Sequence, residues 1–201
     1  MPLRADQRLE AAIEDTPWLA VALRQLETAA LPDAWIVAGA VAQSVWNRAA
    51  GRPAGHGIKD LDVVYHDPAD LSEAAERGCA EHVASLLGDL PTGLDVKNQA
   101  RVHLWYERRF GRPCPPYGSS AAAIATYPTT ATAIGVRRRA GAFEICAPFG
   151  LDDLLDLTVR PNPVLASASV YAAKTARWRE QWPALRILPW PQTAQQRNDA
   201  R

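Results

Sequence analysis

Residues 60–65 read Asp-Leu-Asp-Val-Val-Tyr, and this run constrains the fold more than any other stretch of the chain. Its β-branched and aromatic residues predict a strand over 61–65. Side chains on a strand alternate between its faces, so Asp60, Asp62 and Val64 share one face while Leu61, Val63 and Tyr65 share the other. Two carboxylates therefore project together from an otherwise apolar run.

The flanking segments alternate between helical and extended patterns. Leu9, Ile13, Leu19, Leu23 and Leu26 recur at helical spacing across 6–30, and Pro17 divides that stretch into two helices. A short apolar strand over 35–38 ends at Gly39, and a helix over 40–50 carries Val41, Val45 and Trp46 on one side. The Gly/Pro-rich 51–57 is a loop. After the Asp-Leu-Asp strand, a helix is predicted over 71–87, with Ser72 or Asp70 as its N-cap and Gly88 just past its end. A third strand is predicted over 94–100. The Pro-rich 110–118 is a loop, 120–127 a short helix, and 132–136 with 143–145 a hairpin around Gly141. Helices over 151–157 and 167–182 flank Pro161-Asn162-Pro163. One domain over 1–190 is expected, with a flexible polar tail over 191–201.

Composition narrows the partners. Twenty-two Lys and Arg balance 22 Asp and Glu, so no global positive field draws in a phosphate polymer, and extended nucleic acid is not the expected partner. A local basic cluster is enough for one nucleotide. Cys79, Cys114 and Cys146 lie far apart without metal-like spacing, as reduced thiols of a cytoplasmic protein do. The N-terminus has no signal-peptide pattern, and no uncharged apolar run reaches 18 residues, so no membrane span is expected.

Asp95 stands between Leu94 and Val96 in the third predicted strand, and pairing of the two strands can bring it onto the face of Asp60 and Asp62. Clustered carboxylates repel and raise one another's pKa, which favours a cation among them. Mg²⁺ (or Mn²⁺) suits the donor set, because it takes oxygen ligands and is completed by water and substrate phosphates. In phosphoryl-type transfer such ions activate the attacking hydroxyl and stabilise the leaving oxygen. The preceding strand, Gly39 and helix can offer backbone N–H groups to phosphate.

Gly39-Ala40 opening a helix, Asp60-Leu61-Asp62 in a strand and a carboxylate in a later strand together resemble the DNA polymerase β-type nucleotidyltransferase superfamily. More narrowly, WIVAGAVAQSVWNR, IKDLDVVYHDP, DVKNQARVHLWY, YPTTATAIGVR, EICAPFGLDDL and VRPNP are similar to a bacterial family of nucleotidyltransferase-like proteins, across residues 35–190. The resemblance implies an α/β (α+β) fold with a mixed sheet flanked by helices. It implies Asp60 and Asp62 as metal ligands, Asp95 as the third acid, and an NTP as substrate. The expected reaction transfers a nucleoside monophosphate to a small-molecule or protein acceptor and releases pyrophosphate. The superfamily commonly has Gly-Ser or Gly-Gly where this chain has Gly39-Ala40, so a hydroxyl is missing there. A nucleotide-binding protein that keeps the fold without catalysis is the alternative.

Other residues have plainer readings. Lys97 shares the Asp95 face and can contact phosphate or pair with an aspartate. Arg137, Arg138 and Arg139 suit a solvated edge. Thr129, Thr130 and Thr132 can face a nucleotide or simply sit beside a strand. Trp105, Trp178, Trp182 and Trp190 are core aromatics or a lid. Asp152, Asp153 and Asp156 complement a helix dipole.

Overall fold

The structure, a computed structural model, describes residues 3–191; from 192 onward the expected tail lies outside the described residues. Helices α1 (Ala5–Glu14) and α2 (Pro17–Leu26) divide at Pro17, which opens α2 where its missing N–H costs no hydrogen bond. Their Leu9, Ile13, Leu19 and Leu23 are fully buried. Strand β1 (Trp35–Val37) leads into α3 (Gly39–Ala49), β2 (Asp60–Tyr65), α4 (Glu73–Leu87) and β3 (Gly93–Asn98). Of the two N-cap readings for α4, Ser72 is the residue used, its hydroxyl accepting from the Ala75 N–H at 3.1 Å.

A 3₁₀ turn over Gln99–Leu104, α5 (Tyr106–Phe110) and α6 (Ser120–Ile124) then cross to the hairpin β4 (Gly135–Arg139) and β5 (Ala142–Cys146). The chain ends its described part with α7 (Asp152–Leu155), β6 (Thr158–Val159), α8 (Ala168–Gln181) and β7 (Arg186–Ile187). No helix among the described residues is long and apolar enough to cross a membrane.

Five strands form a mixed sheet in the order β3-β2-β1-β4-β5, in which β2 and β3 are parallel and the other pairs antiparallel. Ile36, Leu61, Val63, Tyr65, Val96 and Val136 join the main core with the helices. On the opposite face Trp35, Val37 and Val64 form a smaller cluster with Ile124 and Ala133. The second face is therefore the one that carries the aspartates.

Several expected boundaries move for local reasons. The third strand stops at Asn98 rather than reaching 100, because the Asn98 side chain accepts from the Asp67 and Ala100 N–H groups and turns the chain. The hairpin arm expected over 132–136 runs instead from Gly135 to Arg139, since the Thr129 hydroxyl accepts from the Thr132 N–H and holds 130–132 in a 3₁₀ turn. The helix expected over 151–157 ends at Leu155, ahead of Leu157 at φ 54°. The short parallel pair β6 and β7 was not legible, being only two residues per strand.

The turn between β1 and α3 holds an unusual backbone. Ala38 has φ 54° and ψ −118°, a conformation natural to glycine, while Gly39 sits in the helix itself. The strain lies one residue before the glycine. Ala38→Gly is expected to stabilise the fold by about 1 kcal/mol, the relief of roughly 1–3 kcal/mol of strain less the added entropy of a glycine in the unfolded chain. Chemical denaturation of the variant measures this.

Candidate active site

Strand parity places the acids as expected. Asp60 and Asp62 lie two residues apart on β2, and β3 pairs in register so that Asp95 stands directly beside Asp62. Adjacent strands are about 4.8 Å apart, so the two carboxylates stand on neighbouring pleats of one face. Asp60 faces Gly93 across the same ladder. A Cβ at Gly93 would stand 2.5 Å from the Asp60 carboxylate, so the glycine makes room for that side chain.

All three acids line one cleft of about 550 Å³. Asp62 is the most constrained of them: its carboxyl is pushed up to about 7, first by burial and then by the charges of Asp95 and Asp60. Lys174 and Lys97 oppose that rise. Lys97 binds Asp95 at 2.9 Å and also lines the cleft. Among the described residues, no group of three or more His, Cys, Asp or Glu side chains is arranged to hold a metal ion by itself. The donor set is nevertheless all carboxylate oxygen, the chemistry that Mg²⁺ accepts when water and phosphate complete its shell.

Helix α3 forms the next wall. Gly39 lines the cleft, and a Cβ there would stand 4.0 Å from the Asp62 carboxylate. Ala40 does not line the cleft; its side chain is fully buried in the main core. Ala40 as a whole has no exposed surface, so of the Gly39-Ala40 pair only Gly39 borders the cleft. Gln43, one turn later, lines the cleft and is buried.

The third wall is α8, expected as a helix over 167–182 but not as part of the site. Ser167 caps it, and the middle of the helix presents Lys174 and Arg177 to the cleft. Lys174 remains open to solvent on the cleft side, yet the surrounding walls desolvate it, and this lowers its pKa against the opposing pull of Asp62. Deeper in, Trp178 and Trp182 meet Trp46 edge-on at 5.3 and 5.4 Å, and the Trp182 indole donates to Asn47 at 2.8 Å. These tryptophans clamp α8 onto α3. Trp105, Tyr106 and Phe110 form an aromatic rim at the cleft, so Trp105 is the tryptophan closest to the lid reading.

The remaining candidates have structural duties. Arg137 pairs with Asp33 and Glu144 at 3.0 and 2.6 Å and stacks on Trp35. Thr130 donates to Asp153 at 2.6 Å, and Arg160 binds the same carboxylate. Gln43, Lys174 and Arg177 line the cleft and were missed in the sequence, as was Gly93, which makes room for Asp60. For Gly93, the signal was its place two residues before Asp95, opposite an acid in the parallel register.

A family model described as nucleotidyltransferase matches residues 24–187. A solved NMR structure described as revealing a CCA-adding enzyme head domain is 28% identical, with a TM-score of 0.72 over 91% of this chain and 95% of that one. No curated protein matches. The fold is thus that of a nucleotidyltransferase head. The chain belongs to the nucleotidyltransferase family.

The raised pKa of Asp62 has a measurable sign. Between 3.8 and about 7 the folded protein keeps a proton that the unfolded chain releases, so this group makes stability fall as pH rises through that window and then level off. Asp62→Asn removes the dependence. The metal-free variant is expected to denature at a higher midpoint than wild type at pH 8 and at a similar midpoint at pH 4.

Proposed function

We propose that the chain transfers a nucleoside monophosphate from an NTP to a hydroxyl-bearing acceptor, a small molecule or a protein, with release of pyrophosphate. The observation that carries this reading is the cleft's division into two poles: Asp60, Asp62 and Asp95 on the sheet, and Lys174 with Arg177 on α8. A triphosphate complements both. Asp60, Asp62 and Asp95 would hold Mg²⁺ or Mn²⁺, which when bound supplies the positive charge that lets phosphate approach the acids and the acceptor hydroxyl ionise.

The chain's own groups account for the rest. Lys174 and Arg177 take the β- and γ-phosphates, drawing charge toward the leaving group. The start of α3 at Gly39 borders the phosphate chain from the side, and its first-turn amide has no intrahelical acceptor to hold it. The acceptor oxygen attacks the α-phosphorus, the bond from that phosphorus to the bridging oxygen breaks, and pyrophosphate leaves with the electron pair. Asp95, about half open to solvent, takes the hydroxyl proton, and Lys97 holds the carboxylate in place. Family membership and the likeness to a CCA-adding enzyme head domain support the reaction class.

A nucleotide-binding protein without catalysis is the second reading. It is favoured by Ala40, whose buried methyl offers no hydroxyl to phosphate.

An NTP panel labelled at the α-phosphate, incubated with cell lysate and Mg²⁺, separates the two. Label transfer with pyrophosphate release is expected from wild type, and neither from Asp62→Asn or in the presence of chelator. Binding of Mg-NTP without any release would leave the second reading standing. Lys174→Met should weaken triphosphate binding roughly 10- to 100-fold by loss of one charged hydrogen bond, while leaving the thermal midpoint near that of wild type.

A further inference from the structure

Helix α5 (Tyr106–Phe110) contains no buried residue, yet with the residue before it the helix carries three aromatic rings. Trp105, Tyr106 and Phe110 all line the cleft. The Tyr106 and Phe110 centroids stand 4.6 Å apart, with Trp105 at 6.1 Å from the first and 6.4 Å from the second. Of the six exposed large apolar residues in the described chain, Leu104, Phe110 and Val164 belong to this corner. Leu104 precedes Trp105, and Val164 precedes Leu165, which packs in one cluster with Trp105 and Tyr106. An aromatic ring buries roughly 150–250 Å² once covered, so rings left open beside aliphatic side chains mark a contact surface rather than a fragment of core.

The same corner is basic. Residues 104–112 hold three arginines against Glu107. Arg108, Arg109 and Arg112 are exposed, and none has a carboxylate partner among the described residues. Arg109 lies 5.5 Å from the centre of the Phe110 ring. Arg112 donates to the Leu165 and Ala166 carbonyls at 3.2 and 2.8 Å, which ties the rim to the segment entering α8. Asp95, Lys97 and Gln99 succeed one another along the cleft toward this corner. The rim thus stands at the acceptor end, beyond the carboxylate that would take the hydroxyl proton.

We infer that the acceptor is a hydroxyl side chain in an acidic, aromatic-bearing segment of another protein, and that Trp105, Tyr106, Phe110 and the three arginines are its docking surface. The inference rests on the proposed nucleotidyl transfer and names its acceptor class. Three observations select a polypeptide. Leu104 and Val164 flank the cleft without lining it, so a compact acceptor seated inside would leave them bare, whereas an extended segment crosses them. Trp, Tyr and Arg are the residues in which the binding energy of protein interfaces concentrates. The Tyr106 and Phe110 rings pack against each other at 44°, so they offer one apolar knob rather than separate platforms for successive nucleic-acid bases. In the transfer, the side-chain oxygen bonds to the α-phosphorus, its proton passes to Asp95, and pyrophosphate leaves with the electron pair of the broken bond. The product is a phosphodiester on the side chain.

Binding of the full chain to a random copolymer of Glu and Tyr, read by fluorescence anisotropy, provides the test. Polyglutamate, a copolymer of Lys and Tyr, and a single-stranded oligonucleotide are the comparators. Wild type is expected to bind the Glu and Tyr copolymer, to bind polyglutamate about tenfold more weakly, and to ignore the Lys and Tyr copolymer. In cell lysate, label from an α-labelled NTP should enter protein, and the Glu and Tyr copolymer should compete with that transfer. Phe110→Ser, at an exposed position, and separately Arg108→Glu with Arg109→Glu should each weaken copolymer binding about tenfold, with Mg-triphosphate affinity at the wild-type value. Polyglutamate bound as tightly as the copolymer, and insensitive to Phe110→Ser, reduces the rim to diffuse charge and overturns the inference. So does oligonucleotide binding that Phe110→Ser abolishes. A loss of Mg-triphosphate affinity in that variant with Mg-tripolyphosphate affinity intact assigns the rim to the nucleobase and overturns it too, as does label that enters only low-molecular-weight products. Normal Mg-triphosphate binding without copolymer binding overturns this inference alone. Absence of any Mg-triphosphate binding by wild type overturns the nucleotidyl transfer beneath it, and the acceptor role with it.

Discussion

An aspartate that is crowded by two like charges and shielded from water cannot ionise freely, and the architecture around Asp62 follows from that constraint. Burial and the charges of Asp95 and Asp60 hold its pKa near 7, while Lys174 and Lys97 limit the rise. Each element contributes something specific to this balance. Strand β3 sets Asp95 alongside, Gly93 clears space for Asp60, and α8 brings a lysine across the cleft. A sheet face bearing three acids is unfavourable as a purely structural surface. On the proposed reading, a bound cation of higher charge density than Lys174 relieves that repulsion.

The positioning of α8 depends on packing remote from the charges. Trp46 receives Trp178 and Trp182 edge-on, Asn47 accepts from the Trp182 indole, and Trp182 lies so close to Gly57 that a Cβ there would stand 2.5 Å from its ring. Trp46 and Asn47 follow Gln43 by three and four residues on α3, and Trp182, the C-cap of α8, follows Trp178 by four, so the two helices meet along one stripe each. The same stripes continue to Gly39 and Gln43 on α3 and to Lys174 on α8, one turn nearer the cleft. Aromatic packing at the base of the pair thereby sets the width of the cleft at its mouth.

The part of the site legible in the sequence was the part governed by period-two alternation. Asp60, Asp62 and Asp95 each carry their face assignment in their neighbours, and a parallel register without slippage keeps all three together. Lys97 follows by the same parity, and its ion pair with Asp95 is a tertiary contact that alternation alone does not specify. Gln43 and Lys174 were invisible for a different reason: each lies on a helix whose rotation is set by tertiary contacts, and a lone Gln or Lys on a helix has no local signature. Boundary errors also had local chemical causes. Asn98 ended a strand, and Thr129 wound a 3₁₀ turn, by side-chain hydrogen bonds that compete with the backbone ladder. Ala40 was expected at the phosphate because of its place in a Gly-Ala pair, yet the whole residue lies in the core and only Gly39 of the pair borders the cleft.

Charge segregation completes the argument about substrate. The chain as a whole balances 22 basic against 22 acidic residues, but the cleft is lined by five basic side chains and three carboxylates. Lys97 and Lys59 stand beside the acids at the sheet, while Lys174 and Arg177 stand apart from them on α8. A neutral ligand would gain nothing from this separation. A monophosphate could satisfy one pole and would leave the other unmatched. A polyphosphate with a metal ion near one end matches both poles at once, which is why, on the proposed reading, the triphosphate rather than the acceptor is the molecule that this cleft is built to select. The acceptor then needs only to place a hydroxyl beside Asp95, at the solvent-open side of the acidic cluster.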